Sequence, residues 1–161
     1  MPDFTKAAIA FQLTMEGNWP TAVAFLGDDK LAAGDGDGRI FLWNLAQPPA
    51  EPTEDQKKDN ELKDRAADIL PQRQLEGHAN GVTRLIAAEG GKLLVSASLD
   101  HTIGLWNPDA SPTGKKEAVL DWHQRRRRVK RDKSNEQEIL SAPGIEVETV
   151  APQARLEGHA D

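Results

Sequence analysis

The stretch GHANGVTRLIAAEGGKLLVSASLDHTIGLWNP, Gly77–Pro108, decides the fold. Val82–Ala88 is apolar-rich and β-branched at its start. Glu89-Gly90-Gly91 reads as a turn, because glycine reaches positive φ without steric cost. Leu93–Ser98 reads as a second short strand. Leu99-Asp100-His101 turns again, and Thr102–Trp106 alternates as a third strand. Short strands joined by tight turns predict an antiparallel sheet.

Two repeats emerge on either side of this stretch. The pentapeptide LEGHA stands at Leu75–Ala79 and again at Leu156–Ala160. Reading back from LWN finds a relative, AVAFLGDDKLAAGDGDGRIFLWNL, at Ala22–Leu45. With Trp43 on Trp106, Asp37 falls on Asp100, Ile40 on Ile103, Leu42 on Leu105 and Leu31 on Leu94. Gly27-Asp28-Asp29 and Asp35-Gly36-Asp37-Gly38 are the turns of this copy. A fourth strand fits before each repeat boundary: Arg73–Glu76 and Ala154–Glu157, with Phe11–Glu16 before Gly17. Four short strands per unit, linked by tight turns, make one propeller blade.

The pattern Gly77-His78, Val82, Leu85, Leu94–Asp100, Thr102-Ile103 and Leu105-Trp106-Asn107 resembles the WD-repeat (Trp-Asp repeat) β-propeller family, with Asn107 in place of the usual final Asp. Ala22–Leu45 is a degenerate second match, and Arg155–Asp161 looks like the lead-in to a third. The resemblance implies an all-β fold of two four-stranded antiparallel blades, a partial β-propeller. Residues 7–16 would be the outer strand of a closing blade. Residues 17–76 would form blade 1 with an insertion at 46–72, and residues 77–157 blade 2 with an insertion at 108–153. Residues 158–161 would start a third repeat.

The resemblance also implies a structural hydrogen-bond network of His78, Ser96, Asp100 and Trp106. In it the indole N–H donates to Ser96, Ser96 bonds His78, and the other imidazole nitrogen meets Asp100, so each buried polar group has a partner. The same Ser, His and Asp spell a hydrolase triad. No strand-turn-helix elbow surrounds Ser96, so the structural role is expected and the hydrolase is the least favoured function. The first repeat keeps only Asp37 and Trp43. Ala33 takes the serine position and Gly17-Asn18 the Gly-His position, which predicts a less rigid unit.

The two insertions differ in character. The first opens with QPPAEPTE, and TEDQKKDNELKDRAADIL, residues 53–70, reads as a helix. Thr53 is its N-cap, Leu62, Ala66, Ile69 and Leu70 form a narrow apolar face, and Pro71 ends it. It reads as a solvated excursion or a docking helix for a partner. The second insertion contains KKEAVLDWHQRRRRVKRDK, residues 115–133, with nine Lys/Arg against three acidic residues. The net charge is −6 overall, so the remainder carries about −12. Arg125, Arg126, Arg127, Arg128, Lys130 and Arg131 could bind phosphates, with Trp122 pinning the segment; otherwise the block is a solvated helix or a disordered loop.

The absence of cysteine excludes disulfides and thiolate metal sites. His101, His123 and His159 show no metal-ligand spacing, so neither metal nor cofactor is expected. No run approaches the roughly 20 apolar residues of a membrane helix, and MPDFTKAAIAFQL lacks a basic n-region, so a cytoplasmic protein without membrane contact is expected. A ring usually closes with about four to eight blades. Two blades predict completion by the missing part of a longer chain or, as the second choice, by several copies. The expected function is a noncatalytic scaffold for protein or peptide partners, with Trp19 as a candidate contact. A nucleic-acid-associated propeller using the basic insertion is the alternative.

Overall fold

A computed structural model describes residues 12–13, 15, 19–46, 68–69, 71–118, 129–131, 138–140 and 145–158. The strands are β1 (Gln12–Leu13), β2 (Pro20–Leu26), β3 (Lys30–Asp35), β4 (Ile40–Asn44), β5 (Asp68–Ile69), β6 (Arg73–Leu75) and β7 (Val82–Ala88). They continue with β8 (Leu93–Ser98), β9 (Thr102–Trp106), β10 (Gly114–Ala118), β11 (Val129–Arg131), β12 (Glu138–Leu140), β13 (Ile145–Val150) and β14 (Ala154–Glu157). The fold is all-β. A single 3-10 turn, Glu89–Gly91, is the one helical element among the described residues.

The second repeat forms a four-stranded antiparallel sheet in the order β14-β9-β8-β7. The sequence reading of four short strands holds here. The first repeat differs from expectation. Its sheet has six strands, in the order β10-β13-β6-β4-β3-β2. Strands β2, β3, β4 and β6 pair antiparallel, but β13 then joins β6 in parallel, with Val150 opposite Leu75, and β10 pairs antiparallel with β13. The extra two strands come from the insertion of the second repeat. An outer strand left bare presents unpaired N–H and C=O groups, and β13 covers them along β6. Val147 and Val150 are buried by this docking, and Arg73 pairs with Glu148 at 3.0 Å.

This corrects the reading of the basic insertion as a helix or disordered loop. Its described parts are strands: β10 spans Lys115 and Lys116, and β11 carries Lys130 and Arg131 in antiparallel pairing with β12. Arg125, Arg126, Arg127, Arg128 and Trp122 lie outside the described residues. The helix expected over 53–70 is not supported either. Most of it lies outside the described residues, and its described part, Asp68–Ile69, is extended and pairs in parallel with Gln12–Leu13. A β-branched isoleucine two residues before Pro71 satisfies a ladder readily, and tertiary pairing overrides a weak local helix preference.

The core lies between the two sheets. Leu26, Ala32, Ile40, Leu42 and Leu75 of the first join Val82, Leu85, Leu94 and Trp106 of the second in one buried cluster. The approach is close: a Cβ on Gly34 would lie 2.6 Å from a Val82 methyl, so a larger residue there would force the sheets apart. The Thr21 hydroxyl lies within hydrogen-bonding reach of the Gly34 and Val82 carbonyls and so bridges the sheets. At the outer rim Lys30 meets Asp109 at 2.6 Å, and Arg73 donates to the carbonyls of Pro108 (2.8 Å) and Ala110 (2.9 Å).

Candidate functional site

The antiparallel ladder builds the site in the second sheet. Ser96 on β8 stands opposite Gly104 on β9, and Trp106 stands two residues on, over the same face. A Cβ on Gly104 would sit 2.7 Å from both Ser96 Oγ and Trp106 Nε1, so only glycine leaves room for the indole to reach the hydroxyl. Trp106 Nε1 donates to Ser96 Oγ at 2.7 Å. Ser96 Oγ and His78 Nε2 are 2.6 Å apart, and His78 Nδ1 lies 3.0 Å from Asp100 Oδ2. The partners assign the tautomer: Ser96 donates to Nε2 and Nδ1–H donates to the carboxylate. The structure thus brings His78, Ser96, Asp100 and Trp106 together in one chain of donors and acceptors.

Asp100 ends that chain. It accepts from the Thr102 hydroxyl (2.6 Å), the Thr102 N–H (3.0 Å) and the Ala79 N–H (2.8 Å). Burial alone would raise its pKa. The hydrogen bonds from Thr102, Ala79 and His78 together outweigh burial and hold the carboxyl well below the usual carboxylate range. Arg155 on β14 adds a bond to Asp100 (3.2 Å) and another to the Gly77 carbonyl (2.9 Å). Sequence reasoning missed Thr102, Gly104 and Arg155. Gly104 carried a usable signal, since glycine inside an otherwise β-branched and aromatic strand marks a close approach.

Such a site holds a loop in place. Ser96 is wholly buried and already receives the indole proton, and the His78 side chain is 1% exposed. A nucleophile needs an open face toward its substrate, and the Ser96 oxygen has none. Among the described residues, no three His, Asp or Glu side chains converge as a metal site requires, and no helix is long and apolar enough to cross a membrane.

The equivalent positions of the first sheet hold different chemistry. Ala33, Phe41 and Trp43 form a buried apolar cluster, with Leu13, Met15, Leu31 and Leu45 packed on it. Phe41 fills the space opposite Ala33, where the second sheet sets Gly104 opposite Ser96. The turn is anchored by Asp35, which the sequence reading did not single out. Its buried carboxylate accepts from the N–H groups of Asp37 and Arg39, both at 2.9 Å, and pairs with the Arg39 guanidinium at 2.7 Å. Asp37 is the exposed partner of the same guanidinium, at 2.9 Å.

Of the remaining candidates, Trp19 lies apart from this site. Trp19 is 77% exposed at the start of the first sheet. Lys115 and Lys116 of the basic insertion face Glu146 (3.3 Å) and Glu76 (2.9 Å), so both are held by acids of the same chain.

Comparison with known proteins agrees with this architecture. Residues 10–44 and 70–107 match the WD domain, G-beta repeat family. The ribosome biogenesis protein YTM1 of Yarrowia lipolytica is 27% identical over 115 residues, covering 61% of this chain and 22% of that protein. The transcription initiation factor TFIID subunit 5 of Drosophila melanogaster is 30% identical over 109 residues, covering 60% and 16%. The chain thus spans less than a third of the length of these relatives. Among solved structures, the C-terminal WD40 domain of Sif2 is similar at 17% identity and a TM-score of 0.45, covering 88% of this chain and 24% of that one. Both matched segments end on the Asn that follows a third-strand Trp, Asn44 and Asn107, and the second encloses the whole Trp106-to-Asp100 relay: these two repeats match the WD-repeat family.

Proposed function

We propose that the two sheets are consecutive propeller blades, residues 17–76 and 77–157, and that the chain is a noncatalytic scaffold mediating protein–protein interaction. One observation carries the reading. The single Ser-His-Asp constellation among the described residues spends every polar atom on its own loop, with Ser96 buried beneath Trp106. A group so engaged fixes a surface instead of reacting at it. Rigid loops on such a support are the usual seat of binding residues. Relatives named for ribosome biogenesis and for a transcription-factor subunit support work within assemblies of several components.

Trp19 is the contact proposed for a protein or peptide partner, because a large aromatic side chain that stays 77% exposed contributes much once covered. Proximity labelling in cells tests it. A defined set of proteins is expected around the chain and is expected to be lost with Trp19→Ala while the fold is kept. An identical set around the variant removes Trp19 from the interface, and the absence of any enriched protein removes the scaffold reading itself.

A further inference from the structure

The loop between β6 and β7 joins the two sheets, and it is fastened at both of its inner ends. The Ala79 N–H donates to Asp100 at 2.8 Å, and the Gly81 carbonyl accepts the Leu99 N–H at 2.9 Å. Between them stands Asn80, which is exposed and whose carbonyl accepts the Ser98 hydroxyl at 2.7 Å. The turn of the first sheet lies against the same loop. A Cβ on Gly38 would come within 2.6 Å of the Asn80 carbonyl oxygen, and one on Gly81 within 3.0 Å of the Gly36 carbonyl oxygen. The loop has little room to change its length.

Asn80 is the one asparagine of the chain followed by glycine. The described asparagines turn their carboxamides to different partners. Asn44 Oδ1 accepts from Ala46 and Asn107 Oδ1 from Asp109, each two residues on and each at 2.9 Å. Asn80 Oδ1 accepts from the very next N–H, that of Gly81, at 2.8 Å. Asn80 Cγ is bonded to that oxygen, so the Gly81 nitrogen is held beside the electrophilic carbon of the side chain. Holding reacting atoms together removes the entropy of their encounter from the barrier. Glycine adds no side chain to crowd a closing ring, whereas Leu45 branches and Pro108 carries no N–H. A peptide N–H that ionises places its charge largely on the carbonyl oxygen of the same amide. In the Asn80–Gly81 amide that oxygen is the one the Ser98 hydroxyl already binds, and a donor fixed in place stabilises such a charge.

We infer that Asn80–Gly81 is a self-modification site, at which asparagine becomes aspartate and isoaspartate with the help of Ser98. Solvent hydroxide takes the Gly81 amide proton. The nitrogen bonds to Asn80 Cγ, the Cγ–Nδ2 bond breaks, and ammonia leaves with a proton supplied by water. Water then opens the cyclic imide. Opening at Cγ leaves aspartate, and opening at the Asn80 carbonyl carbon, the side that Ser98 assists, leaves isoaspartate. The sum is one water consumed and one ammonia released. Isoaspartate routes the main chain through Cγ and so lengthens it between the Ala79 and Gly81 fastenings. The Leu99 N–H bond is the one that gives way, because Asp100 holds Ala79 while Thr102 and His78 hold Asp100.

Peptide mass spectrometry on the folded chain, sampled during incubation in mildly alkaline buffer, tests this. Asn80 is expected to convert ahead of Asn44 and Asn107 in the same sample, with isoaspartate read by its methylation by an isoaspartyl methyltransferase. Ser98→Ala is expected to slow the conversion about tenfold or more, the effect of one hydrogen bond to a charged group. Ser98→Thr keeps the hydroxyl and is expected to keep the rate. In the converted fraction, hydrogen exchange at the Leu99 amide is expected to quicken. An Asn80 that stays intact in the folded chain and converts only in urea overturns the proposal, and that comparison stands even where Ser98→Ala does not fold. One rate shared by the wild type and folded Ser98→Ala overturns the assisted step. Unchanged Leu99 exchange overturns the loosening of the loop.

Discussion

The two sheets solve one problem in opposite ways. Both bury a third-strand tryptophan, Trp43 and Trp106, each 1% exposed. Beneath Trp106 lie a serine and a histidine joined by hydrogen bonds, with a glycine that leaves them room. Around Trp43 lie an alanine and a phenylalanine, the rings of Phe41 and Trp43 being 6.1 Å apart. Where the second sheet anchors its turn through Asp100 to Thr102 and His78, the first uses a buried Asp35–Arg39 ion pair. The backbone needs the volume filled and the turn held. It does not need one particular chemistry for either.

The largest expected difference between the sheets comes from the tryptophans. Trp43→Ala should cost about 3–5 kcal/mol by cavity formation. Trp106→Ala should exceed it by about 1 kcal/mol or more, because it also strands a buried hydroxyl. Urea unfolding of both variants checks the order, and equal losses would deny the relay any energetic role. A smaller effect is expected at the residues between the strands. Gly104→Ala drives a methyl into Ser96 and Trp106 and should cost about 1–3 kcal/mol. Phe41→Leu, at the matching position of the apolar sheet, should cost less than about 1.5 kcal/mol. Thermal melts rank the two, and the reverse ranking would mean that the second sheet relaxes around an added methyl.

The smallest effect is a change of slope in acid. The folded-state pKa of Asp100 is depressed, so its contribution is present above the ordinary carboxylate range and is lost as pH falls below about 4 toward the folded value. Asp100→Asn should lower stability at neutral pH and flatten the acid decline between about pH 4 and pH 2. An unchanged acid slope in that variant would place the titration elsewhere.

What could be read in the sequence, and what could not, follows from the range of the interactions. The strands Val82–Ala88, Leu93–Ser98 and Thr102–Trp106 have the bounds their alternation and turns announce, since local pattern and tertiary pairing agree there. The four members of the relay were legible because their types and spacing occur together. Thr102 and Arg155 were not, because a threonine in a strand and an arginine near a chain end signal nothing until the fold brings them to Asp100. Gly114–Ala118 escaped for a different reason. Its sequence, GKKEA, has no apolar alternation, because it is an edge strand whose lysines face acids at the surface. Nothing local in Ile145–Val150 announces a parallel partner that lies far earlier in the chain.

That parallel seam sets an order of events during synthesis. Chains emerge from the ribosome N-terminal end first, and early units usually fold as they appear. Here Arg73–Leu75 can receive its outer neighbour only after Glu148–Val150 has been made, by which time the strands of the second repeat up to Trp106 are already available. Closing so long a loop is slow. The first repeat therefore reaches its finished edge after the second has formed most of its own sheet, and a nascent chain stalled before residue 145 would carry β6 as a bare edge open to wrong partners.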